Sequence, residues 1–467
     1  MTAAVFGLLL PAVALWLSLR AWGLRRPGES YVITAFLSLL GGLGLSSATT
    51  VWLVTHGLVI GPRFVIVDAL FWIAVAAFAW WRIRRQSGQH RSLETPPSKA
   101  WRLLTLEDWL VRIIFWAIAA LALAAVIAQY RAAPHGDWDA WAVWNDKARF
   151  LFRGGPQWIG MLDIIWANPG HPMLVSLSVA RLWAYAGAES TFIPALISLL
   201  FGAGIVAVMM SALDPRRKRA WIAGAVVLAP ALFVLQSWSQ QADIPLAFFI
   251  VSTLILLRHE RLKAGLDTER ARASLLLAGV TASLAAWTKN EGVTLFFIAA
   301  SIVAIVAVRE RRFRPIVWWA IGAAPVFLTV LWYKLVVAPV RAQYFSENAS
   351  VGTIIATLLD PNRQALVASV IWQRAVEWGA PATKGVVPLT MAAAVVASAT
   401  HDAKSARAAL AVVVLMLASY YIVFMLTSLD PAILITGSFD RLMTQLWPSL
   451  VLAAFSFEGI FEADSHS

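Results

Sequence analysis

Long apolar segments alternate with short polar ones along almost the whole chain. The apolar runs lie at about 3–22, 31–54, 64–81, 108–128, 191–213, 220–236, 242–257, 273–288, 292–308, 316–338, 384–400, 406–428 and 441–461. A helix rises about 1.5 Å per residue, so about 20 apolar residues span the hydrocarbon core of a bilayer. The pattern predicts an all-α polytopic membrane protein with about 13 transmembrane helices.

The composition agrees with this prediction. Only 14% of the 467 residues are charged, against about 25% in soluble domains. The 24 Trp also fit, because Trp collects at the membrane–water interface. The chain has no Cys, which excludes disulfides, thiolate metal sites and Cys nucleophiles.

The basic residues are concentrated in the loops that follow every second run. Well over half of the 38 Lys and Arg lie in 20–26, 82–102, 214–219, 258–272, 309–314 and 404–407. Basic loops are retained in the cytoplasm during insertion. This distribution explains the net charge of +12 without a nucleic-acid partner. It places the long loops 129–171 and 339–383, and a shorter loop at 429–440, on the outer side.

Two segments depart from simple alternation. The stretch 172–186 is short and contains Arg181, and if it spanned the membrane the basic loop 214–219 would lie outside. It is therefore predicted to be a re-entrant or partly inserted helix. Within the second outer loop, 365–378 is predicted to form an amphipathic helix on the membrane surface.

Ionisable residues at membrane depth are costly, so they are functional candidates. The first outer loop contains His135, Asp137 and Asp139, with Lys147 close behind. Asp139 is a candidate cap for a helix bordering the same pocket as Lys147. The apolar stripe of that helix, expected on the membrane surface, consists of Trp141, Trp144, Ala148 and Leu151. The alternative is an interfacial helix with a capping Asp and solvated charges.

Other charged residues lie near the outer ends of distant runs. They are His171 in the Asn-Pro-Gly-His-Pro turn, Asp243 at the start of a run, Lys289 and Glu291 between two runs, and Arg441 at the start of the last run. Each also has a simpler interpretation. His171 could form hydrogen bonds within its loop, and Asp243 could cap its helix. Lys289 and Glu291 could neutralise each other, and Arg441 could anchor the helix at lipid headgroups. We expect them to converge on one cavity.

The residue types suggest a chemistry. Carboxylates suit a general base that deprotonates a hydroxyl. The cations Lys147, Lys289 and Arg441 suit the negative charge on a departing phosphate. A substrate with a lipid tail and a phosphate head would explain a site at the bilayer surface. His135, Asp137, Asp139 and His171 are of types that bind divalent metals, but their spacing requires none and no cofactor is firmly predicted.

The ordered motifs resemble a known family. Gly-Asp-Trp-Asp-Ala-Trp from Gly136, Asn-Pro-Gly-His-Pro, Gln-Ala-Asp-Ile-Pro, Trp-Thr-Lys-Asn-Glu-Gly and Ser-Phe-Asp-Arg-Leu are similar to motifs of bacterial GT-C glycosyltransferases. These include the protein O-mannosyltransferases and aminoarabinose transferases. The resemblance implies a GT-C-type catalytic core at 105–461. Residues 1–104 would be extra N-terminal transmembrane helices with a basic cytoplasmic loop, and 462–467 a short tail.

The resemblance also implies an activity. Such enzymes move a sugar from a polyprenyl-phosphate carrier to a glycan, lipid or protein acceptor, usually with inversion, at the periplasmic face of the bacterial inner membrane. By this resemblance Asp139 is the base, with Asp137 the second choice. The remaining expected roles are phosphate binding by Lys147, Lys289 and Arg441, and lining of the sugar or acceptor pocket by His171, Asp243 and Glu291.

Two features depart from the family. Met173 stands where an acidic or aromatic residue is expected, and no large soluble C-terminal domain is visible, so acceptor recognition is expected from the loops. An O-antigen ligase or polymerase is an alternative, although its catalytic charges would be expected on a late outer loop. A transporter or flippase is a non-enzymatic alternative, but paired halves are not visible.

Overall fold

A computed structural model describes residues 2–22, 31–86, 104–163, 168–257, 269–338, 350–399 and 404–456. Several predicted features lie outside these residues. They are most of the basic loops 20–26, 82–102 and 258–272, the beginning of the second outer loop at 339–349, and the tail at 462–467.

The described residues form helices and no strands, which confirms the all-α prediction. In chain order the helices are α1 (Thr2–Ala21), α2 (Tyr31–Thr55), α3 (Pro62–Gln86), α4 (Leu106–Ala132), α5 (Asn145–Arg153), α6 (Leu174–Ala186), α7 (Phe192–Ala212), α8 (Lys218–Leu228), α9 (Ala231–Gln236), α10 (Asp243–Leu256), α11 (Glu269–Thr288), α12 (Asn290–Arg309), α13 (Arg314–Trp332), α14 (Val351–Leu359), α15 (Pro361–Glu377), α16 (Val386–Ala399), α17 (Lys404–Leu426) and α18 (Pro431–Phe455). Short π-helical and 3₁₀ segments add to these.

Eight of the described helices are long and apolar enough to cross a membrane: α1 to α4, α7, α12, α13 and α17. The apolar helices α6, α10 and α16 are shorter. The run at 220–236 is divided into α8 and α9 at Pro230, which is extended at ψ 122° and cannot donate a backbone hydrogen bond. The chain is thus a multi-pass membrane protein. The helix predicted at 365–378 is present as α15.

The start of the last helix differs from the prediction. The prediction of an outer loop at 429–440 is wrong, since α18 begins at Pro431. The Asp430 carboxylate accepts hydrogen bonds from the backbone N–H groups of Ala432, at 2.7 Å, and Ile433, at 3.3 Å. An Asp cap followed by proline at the first helical position is a strong start signal. Arg441 therefore lies within α18 rather than at its end.

The centre of the bundle is formed by α10, α11 and α18. Every residue of α10 is buried. Helix α11 packs backbone to backbone against α13, because a Cβ at Gly279 would clash with the Trp319 carbonyl and one at Gly322 with the Leu276 carbonyl. Small residues allow such close approach between membrane helices.

Helix α6 joins the N-terminal helices to this core. Its 13 residues make it about 20 Å long, less than the hydrocarbon thickness of about 30 Å. Arg181 of α6 donates to Asp68 of α3 at 2.6 Å, and both side chains are buried. Arg181 also donates to the Gly7 carbonyl of α1 at 2.7 Å, and the Tyr185 hydroxyl donates to Asp68 at 2.7 Å.

Candidate active site

The first outer loop folds onto the core rather than onto the membrane surface. After α4, a π-helical segment (Ala140–Trp144) leads into α5. Trp144, Ala148 and Leu151 are buried, and only Trp141 of the predicted surface stripe is exposed. The stripe prediction is therefore wrong, because α5 packs against α6 and needs an apolar face there. Single-turn π segments are frequent at functional sites.

Asp139 is held by a side chain from the other end of the chain. Its backbone is helical, at φ −62° and ψ −28°, and its carboxylate caps no helix. The capping alternative is thus wrong. Instead, Asp139 Oδ2 accepts a hydrogen bond from Arg441 Nη1 in an ion pair. Both side chains are about one-third exposed. The first loop and α18 therefore meet at these two residues.

Asp243 lies deeper, and it also does not act as a cap. The N-cap of α10 is Ala242. Asp243 Oδ1 accepts from Lys289 Nζ at 2.9 Å and from Gln445 Nε2 at 2.6 Å. Lys289 Nζ also lies 3.1 Å from Glu291 Oε1, so the mutual neutralisation expected of this pair is present. Burying charges costs several kcal/mol per ion unless they are well paired, and this network pairs them.

A second group of cations surrounds the turn at 168–171. Lys147 Nζ donates to the Asn168 carbonyl at 2.8 Å, and Lys334 donates to the Gly170 carbonyl and to Asn290 Oδ1. His171 Nδ1 lies 3.4 Å from Asn290 Nδ2. Asn168 has φ +49°, a left-handed conformation that Asn tolerates better than most residues. His171 is therefore on the same side of the molecule as Lys147 and Lys334.

The electrostatics connect this turn to the deeper network. Burial, together with the charge of Lys334, lowers the pKa of Lys147 to about 7. Burial also lowers the pKa of His171 well below its usual value, and Lys147, Lys289 and Lys334 add to this effect. His171 is consequently neutral at pH 7. A single histidine within reach of three lysines marks a region of high positive potential.

Asp137 is exposed and lies two residues before Asp139. Its Oδ2 accepts from Gln241 Nε2 at 3.3 Å, and its Oδ1 accepts from the backbone N–H of Trp138 at 2.7 Å. The neighbouring Gln240 has φ +61°, and its side chain accepts from Asn145 Nδ2 at 2.7 Å. Strained backbone of this kind persists where the surrounding structure fixes it, commonly at functional sites.

The candidate metal ligands have different partners. His135 lies 3.5 Å from an Arg149 nitrogen, whereas Asp139 pairs with Arg441 and His171 adjoins Asn290. Among the described residues, no group of three or more His, Cys, Asp or Glu side chains could hold a metal ion. The geometry thus gives no support to the divalent-cation hypothesis.

Sequence reasoning missed several polar residues of this region. They are Lys334, Gln445, Asn290, Asn145 and Gln240. Lys334 was detectable, since it is a lysine near the outer end of an apolar run. Gln445, which also accepts from the Tyr420 hydroxyl at 3.0 Å, interrupts the apolar pattern of α18. The others lie in polar surroundings and give no such signal.

Comparison with known proteins gives a family match over part of the chain. Residues 116–345 match the family model described as dolichyl-phosphate-mannose-protein mannosyltransferase. This segment includes the first loop, the 168–171 turn, Asp243 and Lys289, but not Arg441. No curated protein and no solved structure matches the chain. The match confirms the resemblance found in the motifs: the chain is a membrane glycosyltransferase related to this family, whose members use a lipid-linked sugar donor.

Proposed function

We propose that the protein transfers a sugar from polyprenyl phosphate to an acceptor with inversion of the anomeric centre, using Asp139 as general base. The observation that carries this proposal is the meeting of Asp139 and Arg441 beside the Asp243–Lys289–Glu291 network. A carboxylate that accepts a proton and cations that stabilise a phosphate are thereby brought into one region.

The charge balance favours one part of the site for the carrier phosphate. Arg441 and Lys289 already have carboxylate partners. In the described part of the chain, Lys147 and Lys334 form no ion pair and donate only to carbonyl and amide oxygens. Lys334 is partly exposed, whereas Lys147 is buried beneath the 168–171 turn. We therefore assign the phosphate first to Lys334 and Lys147, with Arg441 and Lys289 at its border.

Asp139 suits the role of base better than Asp243. The Asp139 side chain is 34% exposed, and its Oδ1 has no hydrogen-bond partner among the described residues. Asp243 is buried: Lys289 and Gln445 donate to its Oδ1, and its Oδ2, which has no partner among the described residues, is shielded from solvent. A base must reach the proton that it removes, at about 2.6–3.2 Å between heavy atoms. Asp137 remains the second choice, because it is an exposed carboxylate two residues from Asp139.

The reaction follows from these positions. Asp139 takes the proton of an acceptor hydroxyl, and the hydroxyl oxygen attacks the anomeric carbon on the face opposite the phosphate. The bond from the anomeric carbon to the phosphate oxygen breaks, and its electron pair leaves with the carrier phosphate. Lys334 and Lys147 stabilise the charge that develops on this phosphate. The products are the inverted glycoside and polyprenyl phosphate, with the proton on Asp139.

The orientation of the bundle supports an active site on the periplasmic face of a bacterial inner membrane. Helix α12 runs from Asn290, beside the site, to Arg309 in a basic loop. Its 20 residues are about 30 Å long. Helix α13 runs back from Arg314 towards Lys334. The site and the basic loop 309–314 thus lie at opposite ends of two membrane-length helices, and basic loops stay cytoplasmic.

A direct assay tests this function. The purified protein is reconstituted in proteoliposomes with radiolabelled polyprenyl-phosphate sugar and a membrane extract that contains glycan, lipid and protein acceptors. We expect the label to move to an acceptor as polyprenyl phosphate is released. NMR of the product should show the inverted anomeric configuration. Release with retained configuration would contradict the proposed single displacement.

A further inference from the structure

A pocket lies at the first outer loop, next to the candidate active site. Its volume is about 510 Å³, and it is lined by residues 132–136, Trp141 and Arg149. None of its lining side chains belongs to the cation groups or carboxylates of the candidate active site. Gly136 and Trp141 flank the turn that carries Asp137 and Asp139, so the pocket and the proposed base share one short segment.

Helix α5 separates the two regions. Lys147 and Arg149 are two residues apart, and two residues turn an α-helix by about 200°. Lys147 accordingly points inward to the Asn168 carbonyl, whereas Arg149 points outward to the pocket. One helix therefore presents a cation to each side.

The pocket has donors suited to an anion. Arg149 Nη1 donates to the Trp141 carbonyl at 3.4 Å, and Nη2 lies 3.5 Å from His135 Nδ1. Glu189 lies 4.0 Å from Arg149 but forms a two-point ion pair with Arg153, so it compensates mainly Arg153. A guanidinium held in place by a backbone carbonyl and a neighbouring side chain is a good binding group for phosphate.

The pocket also adjoins the membrane-facing side of the bundle. It begins at Ala132, the last residue of α4, and α4 is largely exposed on the surface of the protein. Trp138 and Trp141 are 64% and 44% exposed, and their rings pack edge to face at 4.7 Å. Exposed Trp side chains at the end of a transmembrane helix are typical of the headgroup region of a bilayer.

We propose that this pocket binds the phosphate of a membrane-lipid headgroup, through Arg149 and His135, in the same leaflet as the candidate active site. Arg149 supplies the charge, His135 a second nitrogen, and Trp141 an aromatic wall. The lipid tails lie along α4. The pocket thereby holds a phospholipid directly beside the turn that carries Asp139. Occupancy of this site does not depend on the proposed sugar transfer.

Lipid binding to the purified full-length protein tests the proposal. Phosphatidylglycerol is titrated into the detergent-solubilised protein, and bound lipid is counted by native mass spectrometry. Arg149→Gln should weaken binding roughly tenfold, as expected for the loss of one charge-assisted hydrogen bond. Arg153→Gln/Glu189→Gln is the matched control, because it removes an ion pair outside the pocket and leaves no free Glu189 carboxylate to pair with Arg149. It should bind as the wild type does, and Arg149→Lys should retain part of the affinity.

Soluble glycerol phosphate distinguishes a lipid headgroup from free phosphate. If the pocket takes a membrane lipid, glycerol phosphate should displace phosphatidylglycerol only at much higher concentration. Displacement at equal concentration would overturn the membrane source. Unchanged phosphatidylglycerol binding by a folded Arg149→Gln or Arg149→Lys/His135→Gln protein would overturn the site itself.

Discussion

Lys289 and Asp243 form an ion pair of 2.9 Å between the α11–α12 junction and α10, where their side chains are only 7% and 1% exposed. Neither charge can be hydrated, so each depends on the other. Glu291 and Gln445 complete the arrangement from α12 and α18. Three segments that are far apart in sequence, around residues 243, 289–291 and 445, thus meet at one buried carboxylate.

Lys289→Met should destabilise the protein strongly, because it leaves Asp243 charged and buried. Breaking a buried pair from one side costs roughly 3–5 kcal/mol. Thermal unfolding in detergent should show a lower midpoint for this variant. Adding Asp243→Asn should recover most of the loss. Glu291→Gln serves as the control and should have a smaller effect, since Lys289 keeps its ion pair with Asp243. Equal midpoints for the single and double variants would show that the pair is not coupled.

Asp139→Asn should lower turnover by roughly 10²–10⁴, the usual contribution of general base catalysis. The amide keeps the size of the side chain but cannot take the proton. Binding of the carrier lipid should change little, since Arg441 remains. Turnover and binding are measured separately, with labelled donor in proteoliposomes. Near-normal sugar transfer by Asp139→Asn would contradict its role as general base. Asp137 would then be the next candidate, and Asp137→Asn is the parallel test.

Binding of the sugar-loaded carrier should weaken as the pH rises from 6 to 8. Burial lowers the pKa of Lys147 to about 7, so this lysine is cationic below that pH and neutral above it. The phosphodiester of the loaded carrier does not titrate in this range, so the protein alone sets the slope. Lys147→Arg should flatten the profile, because arginine stays charged. A wild-type profile that is already flat would remove Lys147 from the phosphate site.

Single cysteines can establish the orientation, because the chain has none of its own. Arg217→Cys, in the basic loop between α7 and α8, should resist a membrane-impermeant maleimide on intact cells. Gly352→Cys, on exposed α14, should react readily, and an added Cβ there meets only ordinary contacts. Permeabilised cells supply the control for reactivity at both positions. Labelling of Arg217→Cys in intact cells would reverse the proposed orientation.

The sequence predicted the helices well because the bilayer imposes a length and an apolar composition on each of them. It predicted the candidate charges for a related reason, since a charge near the membrane needs a partner or a function. It did not give their pairing. The rotation of each helix decides whether Asp139 caps its own helix or meets Arg441, and rotation depends on side-chain packing between distant segments.

The remaining errors have local causes. Helix α18 begins earlier than its apolar run because Asp430 and Pro431 start it within a polar stretch. The π-helical segment precedes α5, and the apolar residues Trp144, Ala148 and Leu151, which were expected on the membrane surface, face the core. Gln445 and Lys334 can be assigned to the site only from their hydrogen-bond partners on other helices. The spacing of apolar residues along the sequence does not reveal these local starts or the partners on other helices.

The buried pair between Arg181 and Asp68 has a consequence for biosynthesis. The two residues are 113 positions apart, and a ribosome adding about 5–20 residues per second needs roughly 6 to 23 seconds to travel from one to the other. Throughout that interval Asp68 has emerged and Arg181 has not. The ion pair therefore forms only after α6 has been made, and α3 spends that interval in the membrane without the charged partner of its Asp68.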